Sequence, residues 1–315
     1  MNHNNKKFLH AIFKNEKYYS ERNTVIKGNK TLINIESTFL SLNPSIILSR
    51  LTRQKIHQII PYDDGIVVLI KKKFLVFTRK GKYIGEIAIE RGSRPLKQGA
   101  VIIDNHLYFG DYWGNKNRLP VNLYKVNLSN LAKSILYDFK HVRHIHSVQE
   151  DSKFENKLLV CTGDSDSESG IYQISISSGS IEVLCEGSQE CRAVSILQNG
   201  DEIFWGSDSP NNINSIYKLN RLASAKIDKI CEIEGPAYYS AKLLSGEMFI
   251  STAVEDRSKH KSIIYKSSDD GVTWDKYKTF QKDMWPNKLF GYGLVEFPLG
   301  IENIDELVYT KVGLY

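Results

Sequence analysis

Short apolar runs alternate with polar turns along this chain, and one feature of the pattern keeps a long period. An apolar step ending in an aromatic closes at Phe77 ("LVF"), Tyr124 ("NLY"), Tyr172 ("GIY"), Tyr217 ("SIY") and Tyr265 ("IIY"). The intervals are 124 − 77 = 47 residues, then 48, 45 and 48, and Lys or Gln follows each of the last four aromatics. Inside each interval the order is strand, polar turn, strand, acidic loop, as in "GAVIIDNHLYFGDYWGN" and "AVSILQNGDEIFWGSDSPNN". Short runs parted by Asn-Gly, Ser-Gly and Asp-Asn read as hairpins. Four strands in about 45 residues, repeated, predict the blades of a β-propeller.

Blades are expected at 56–90, 99–140, 143–185, 191–233 and 238–280. Two further strands lie in the tail 291–315, and residues 1–36 can supply two more. The expected fold is therefore all-β, a single domain over 1–315: a six-bladed propeller of four-stranded blades, closed by strands from both termini so that no sheet edge stays free. Five or seven blades fit the same pattern. "NPSIILSRLTRQK" (43–55) has helical spacing and reads as a short helix or loop ahead of the repeats.

The stretch "SSDDGVTW" (267–274) follows the last aromatic step. Its Ser267, Asp269, Gly271, Thr273 and Trp274 resemble the Asp-box, or BNR, repeat of sialidase-like propellers. That resemblance implies a structural turn between the third and fourth strands of a blade: Asp accepting hydrogen bonds, Gly permitting the backbone, Trp packing between blades. "YFGDYWGN", "RHIHSVQED", "TGDSDSESGIY", "GSQECRAV", "FWGSDSPNN" and "STAVEDR" are also similar to a bacterial group of Asp-box proteins often found near genes for surface polysaccharides.

Composition narrows the partners. Net charge is 42 − 36 = +6, with basic residues scattered, so a nucleic-acid surface is not expected. No 18-residue apolar run is present, so a helical membrane span is not expected, and no apolar stretch follows the N-terminal lysines as a cleaved signal requires. The cysteines (Cys161, Cys185, Cys191, Cys231) show no CxxC or metal-ligand spacing. They read as free thiols of a cytoplasmic protein.

A box in a third-to-fourth turn puts blade entries and second-to-third loops on the opposite face. The entries carry Arg94, Arg143, His144, His146, Arg192, Tyr238 and Tyr239. The loops carry Asp111, Tyr112, Trp113, Asp164, Asp166, Glu168, Asp208, Asn211, Asn212 and Glu255. An acid recurs at equivalent places in four blades ("FGDY", "TGDSD", "WGSD", "STAVE"), which makes a polar funnel the expected ligand site.

Histidines two apart on a strand project to one side, so His144 and His146, with Asp164 and Asp166, are candidate ligands for a divalent metal ion. The same groups can serve as acid and base, with Tyr239 and Glu255 as partners, or simply line a wet channel. Arg94, Arg143 and Arg192 can grip a carboxylate, as sialidase arginines do; Asp111, Trp113, Asp208 and Asn212 complete the candidate substrate contacts, and Trp285 is a candidate rim platform. The leading expectation is action on an acidic oligosaccharide or glycoconjugate, by glycoside cleavage or elimination, in bacterial polysaccharide metabolism. The alternatives are a non-catalytic glycan- or protein-binding propeller and a metal-dependent polysaccharide lyase.

Overall fold

A computed structural model describes residues 7–35, 56–210, 212–223, 226–255, 260–283 and 292–315. It is a six-bladed β-propeller of four antiparallel strands per blade, in chain order within each blade. Blade 1 comprises β1 (Phe8–Phe13), β2 (Glu16–Glu21), β3 (Thr24–Lys27) and β4 (Lys30–Asn34); blade 2 comprises β5 (Gln58–Pro61), β6 (Gly65–Ile70), β7 (Lys73–Thr78) and β8 (Tyr83–Ala88). Blade 3 holds β9 (Ala100–Ile103), β10 (His106–Gly110), β11 (Val121–Asn127) and β12 (Lys133–Phe139), and blade 4 holds β13 (His144–Glu150), β14 (Lys157–Gly163), β15 (Gly170–Ser175) and β16 (Ile181–Glu186). Blade 5 is built from β17 (Leu197–Asn199), β18 (Glu202–Gly206), β19 (Asn214–Asn220) and β20 (Ile227–Ile233). Blade 6 is built from β21 (Ala237–Lys242), β22 (Met248–Thr252), β23 (Lys261–Ser267) and β24 (Asp275–Gln281). The expected helical stretch 43–55 lies outside the described residues.

Every recurring aromatic sits in the third strand of its blade, opposite an extra residue in the fourth. Pairing slips at Phe77, Tyr124, Tyr172, Tyr217 and Tyr265, leaving Ile84, Leu136, Leu184, Ile230 and Tyr277 unpaired. The same slip occurs in blade 1 at Ile26, opposite Leu32. A bulge of this kind bends the outer strand and steepens the twist a blade needs to pack on its neighbour. The middle strands are apolar on both faces, since each blade is covered by the next, and six apolar clusters fill the interfaces.

Closure differs in detail from the expectation. The N-terminal residues supply a whole blade rather than two strands, while β25 (Leu294–Glu296) and β26 (Thr310–Val312) form a small sheet of their own. That sheet packs on blade 6 through Val295, Phe297 and Leu314, and reaches blade 1 where Leu299 exchanges backbone hydrogen bonds with His10 and Ile12. No helix among the described residues is long and apolar enough to cross a membrane.

The 268–274 turn joins β23 to β24, the third-to-fourth-strand place that the resemblance to an Asp-box implies. Asp269 accepts from Ser267 Oγ (2.8 Å), Thr273 N (3.0 Å) and Thr273 Oγ1 (2.6 Å). Gly271 has φ +88°, and a Cβ there would stand 2.3 Å from the Phe204 ring of blade 5, so both conformation and space require glycine. The expectation of four free thiols is corrected: Cys185 and Cys191 are disulfide-bonded, whereas Cys161 and Cys231 are free. Six residues of separation carry no motif, but β16 ends where the following turn doubles back, bringing their Cα atoms to 5.7 Å.

Candidate functional site

The blade 4 entry strand supplies the centre of the site. β13 opens with His144, and its pairing with β14 skips His146, the extra residue of a β-bulge between Ile145 and Ser147. A bulge re-aims its side chain, and here it lays the imidazole across Gly163, where a Cβ would stand only 2.4 Å from the ring. The His144 and His146 Nε2 atoms lie 2.9 Å apart, and Asp164 Oδ1 is 3.2 and 3.1 Å from them respectively.

Backbone carbonyls fix the ring states. His144 Nδ1 donates to Trp113 O at 2.7 Å and His146 Nδ1 to Ala193 O at 3.0 Å. A carbonyl only accepts, so each neutral ring carries its proton on Nδ1 and turns an Nε2 lone pair inward. Three acceptor atoms within 3.2 Å of one another repel unless a cation or proton sits among them. An ion about 2.1 Å from each would see them at roughly 90–100° to one another, the face presented by two-histidine, one-carboxylate sites, which leaves further positions open. The donor set therefore fits a divalent transition ion.

Electrostatics match. Burial alone would raise the Asp164 carboxyl, but hydrogen bonds from His144 and His146, which form only when a proton takes the ion's place on Nε2, outweigh it and hold the group far below the ordinary carboxylate range. Burial, with His144 beside it, lowers His146 despite the opposing pull of Asp164, so this ring favours its neutral, ligating form.

Around the triad stands a basic shell. Arg143 Nη1 donates to Asp164 Oδ2 at 2.6 Å, and Arg192 Nη2 lies 3.3 Å from Oδ1 and 3.1 Å from Asp208 Oδ2. Arg192 and Gln189 also donate to the Asp164 backbone carbonyl, at 3.0 and 2.9 Å. The Asp164 loop is shaped from within by buried Glu168, which accepts from the backbone of Asp164 and Ser165 and pairs with Arg118.

Other expected site residues take separate places. Asp111 pairs with Arg91 at 2.7 Å and accepts Asn122 N, so it serves blade 3. Trp113 contributes its carbonyl to His144, while Arg91 covers its ring. Asp166 accepts from Gln189 and stays outside the metal-competent group. Asn212 donates to Ser209 within a local turn, and Arg94 lies where its charge acts on His57, Lys97 and Tyr239. Tyr239 is buried beside Val194 and Val295, whereas its neighbour Tyr238, the bulged residue of β21, donates to Glu255. Trp205 is core, as expected of a mid-strand residue. Asn211 and Trp285 lie outside the described residues.

Burial, reinforced by Glu255 and Asp164 and opposed by Arg192, raises Asp208 well above an ordinary carboxyl, and its Oδ1 has no hydrogen-bond partner among the described residues. Sequence reasoning did not single out Gln189, or Tyr112 as the ring that packs 4.4 Å, centre to centre, from His144. The bulge at His146 leaves no signature of its own, because the two-residue spacing alone already places both rings together.

These features define a class: a six-bladed propeller whose mouth carries a two-histidine, one-carboxylate face inside an arginine shell. The chain matches no protein-family profile and no curated protein. Among solved structures it is similar to the GH74 xyloglucanase of Xanthomonas campestris (TM-score 0.57, 10% identity, covering 86% of this chain and 45% of that one) and to the GH74 enzyme of Niastella koreensis (0.56, 11%, 86% and 45%). It is also similar to an extracellular domain from B. thetaiotaomicron (0.55, 12%, 86% and 32%). The chain thus spans a third to a half of the length of these proteins, and at such identity the likeness is one of fold.

Proposed function

We propose that this protein is a metal-dependent, carbohydrate-active propeller that acts on an acidic glycan at the mouth formed by blades 3, 4 and 5. The observation carrying this reading is the convergence of His144 Nε2, His146 Nε2 and Asp164 Oδ1 within 3.2 Å, flanked by Arg143 and Arg192. A divalent ion held there supplies Lewis acidity toward a sugar carboxylate. Arg143, partly exposed on the open side of Asp164, adds the second positive contact such a carboxylate needs. Tyr238 keeps its proton, because burial and the nearby charges of Asp208 and Glu255 raise the phenol, and it spends that proton on the Glu255 carboxylate. Carbohydrate-acting enzymes among proteins of the same fold support the glycan assignment.

The full pairing of Asp164 by two arginines favours a second reading, a propeller that holds an acidic glycan without turning it over. Calorimetry with Mn²⁺, followed by incubation with uronate, nonulosonate and neutral oligosaccharides with and without a chelator, separates the two. Chelator-sensitive formation of an unsaturated or shortened acidic product supports the enzyme; saturable binding without product supports the module. Failure to bind either Mn²⁺ or any acidic sugar overturns both.

A further inference from the structure

We propose that the Cys185–Cys191 disulfide positions the triad, so that opening the bond weakens metal binding; this rests on the metal-dependent reading above. The bond closes a short loop between the end of β16 and the single 3₁₀ turn Gln189–Cys191. Six contacts that shape the site leave the segment 189–193. Gln189 Nε2 donates to Asp164 O and to Asp166 Oδ1, both at 2.9 Å. Arg192 grips Asp164 through its backbone carbonyl and Oδ1, and also holds Asp208. The Ala193 carbonyl accepts His146 Nδ1–H and so sets which nitrogen faces the ion.

Two other links fix the same segment to its surroundings. Trp205 Nε1 donates to Glu190 O at 2.6 Å, and Asp208 N to Arg192 O at 2.9 Å. Neither joins it to blade 4, which carries the histidines and Asp164; the Cys185 sulfur does. The disulfide is therefore a covalent strap, a second tie besides the backbone of 186–188, between the blade holding the ligands and the turn holding their hydrogen-bond partners. Such outer partners are worth 10- to 100-fold in metal affinity. A dithiol opens the strap by taking both sulfurs to thiols with two electrons and two protons, itself becoming a disulfide. An oxidising compartment keeps the site taut, and a reducing one loosens it.

The test is Mn²⁺ calorimetry on the oxidised protein, the dithiol-reduced protein and Cys185→Ser/Cys191→Ser, each with a melting curve. Gln189→Ala serves as a variant that keeps the bond but cuts one grip on Asp164. The expected result is Kd raised about 10-fold or more on reduction and in the double variant, with a cooperative melt retained, and a smaller rise for Gln189→Ala. Unchanged Kd in the reduced protein overturns the strap while leaving the metal site intact. Absence of Mn²⁺ binding by the oxidised protein overturns strap and metal site together.

Discussion

Gly163→Ala tests the triad without removing any of its ligands. The added Cβ would stand 2.4 Å from His146 Cε1 and 2.9 Å from Nε2, where ordinary contacts begin near 3.4 Å. The ring must therefore retreat by about 1 Å, while metal–ligand bonds tolerate only about ±0.2 Å. Retreat is resisted on the far side by the Nδ1 bond to Ala193 O, so the strain falls on the Nε2 edge. Loss of His146 from the face leaves one histidine and one carboxylate, and Mn²⁺ affinity should fall by at least about 100-fold. The crowding itself should cost about 1–3 kcal/mol of stability. Calorimetry reads the first effect and a urea melt without metal the second. Unchanged Mn²⁺ affinity at the reduced stability would show that His146 is not a ligand, and the reading of the site would fail with it.

Three further outcomes concern the scaffold. Gly271→Ala combines a left-handed backbone with a clash against Phe204, so urea melts should show a loss of about 2–4 kcal/mol with Mn²⁺ affinity unchanged; a loss near zero would mean the box turn does not hold blades 5 and 6 together. Asp151 and Arg221 form a buried ion pair at 2.7 Å, and Asp151→Ala strands the guanidinium, costing about 3–5 kcal/mol; a wild-type melt would refute the pairing. His10 and His57 are held well below the ordinary histidine value, by burial first, then by Lys97 for His10 and by Arg94 and Lys97 for His57. Unfolded, both titrate near 6.5, so the unfolded chain binds protons that the native state refuses, and stability present above that pH is lost below it. Between pH 7.5 and 5.5 this pair should cost up to about 3 kcal/mol, the limit reached if neither ring takes up a proton in the native state, and equal urea midpoints at the two pH values would contradict it.

The repeat was legible because one aromatic marks one mechanical event, the third-strand position opposite the fourth-strand bulge. Blade 1 escaped because Ile26 stands there instead, 77 − 26 = 51 residues before Phe77. The face carrying the site was legible too, since strand polarity dictates which turns share a side. What could not be read was pairing. The four recurring loop acids look equivalent along the chain, yet Asp111 meets Arg91, Asp164 the histidines and two arginines, Asp208 Arg192, and Glu255 Tyr238. Tyr238 was separated from Tyr239 by a bulge that skips one residue of β21. The disulfide depends on a loop doubling back, which spacing alone does not reveal.

The seam at Leu299 bears on how the ring is made. Ile12 and Leu299, which share a backbone hydrogen bond, are 299 − 12 = 287 residues apart. At synthesis rates of about 5–20 residues per second, the first blade waits roughly 15–60 s for that partner to emerge. Through that interval blade 1 lacks its last neighbour, and its β1 backbone is open to any other strand. The nascent propeller is thus most vulnerable at blade 1, and a partner that shields Phe8–Phe13 during translation would raise the yield of closed rings.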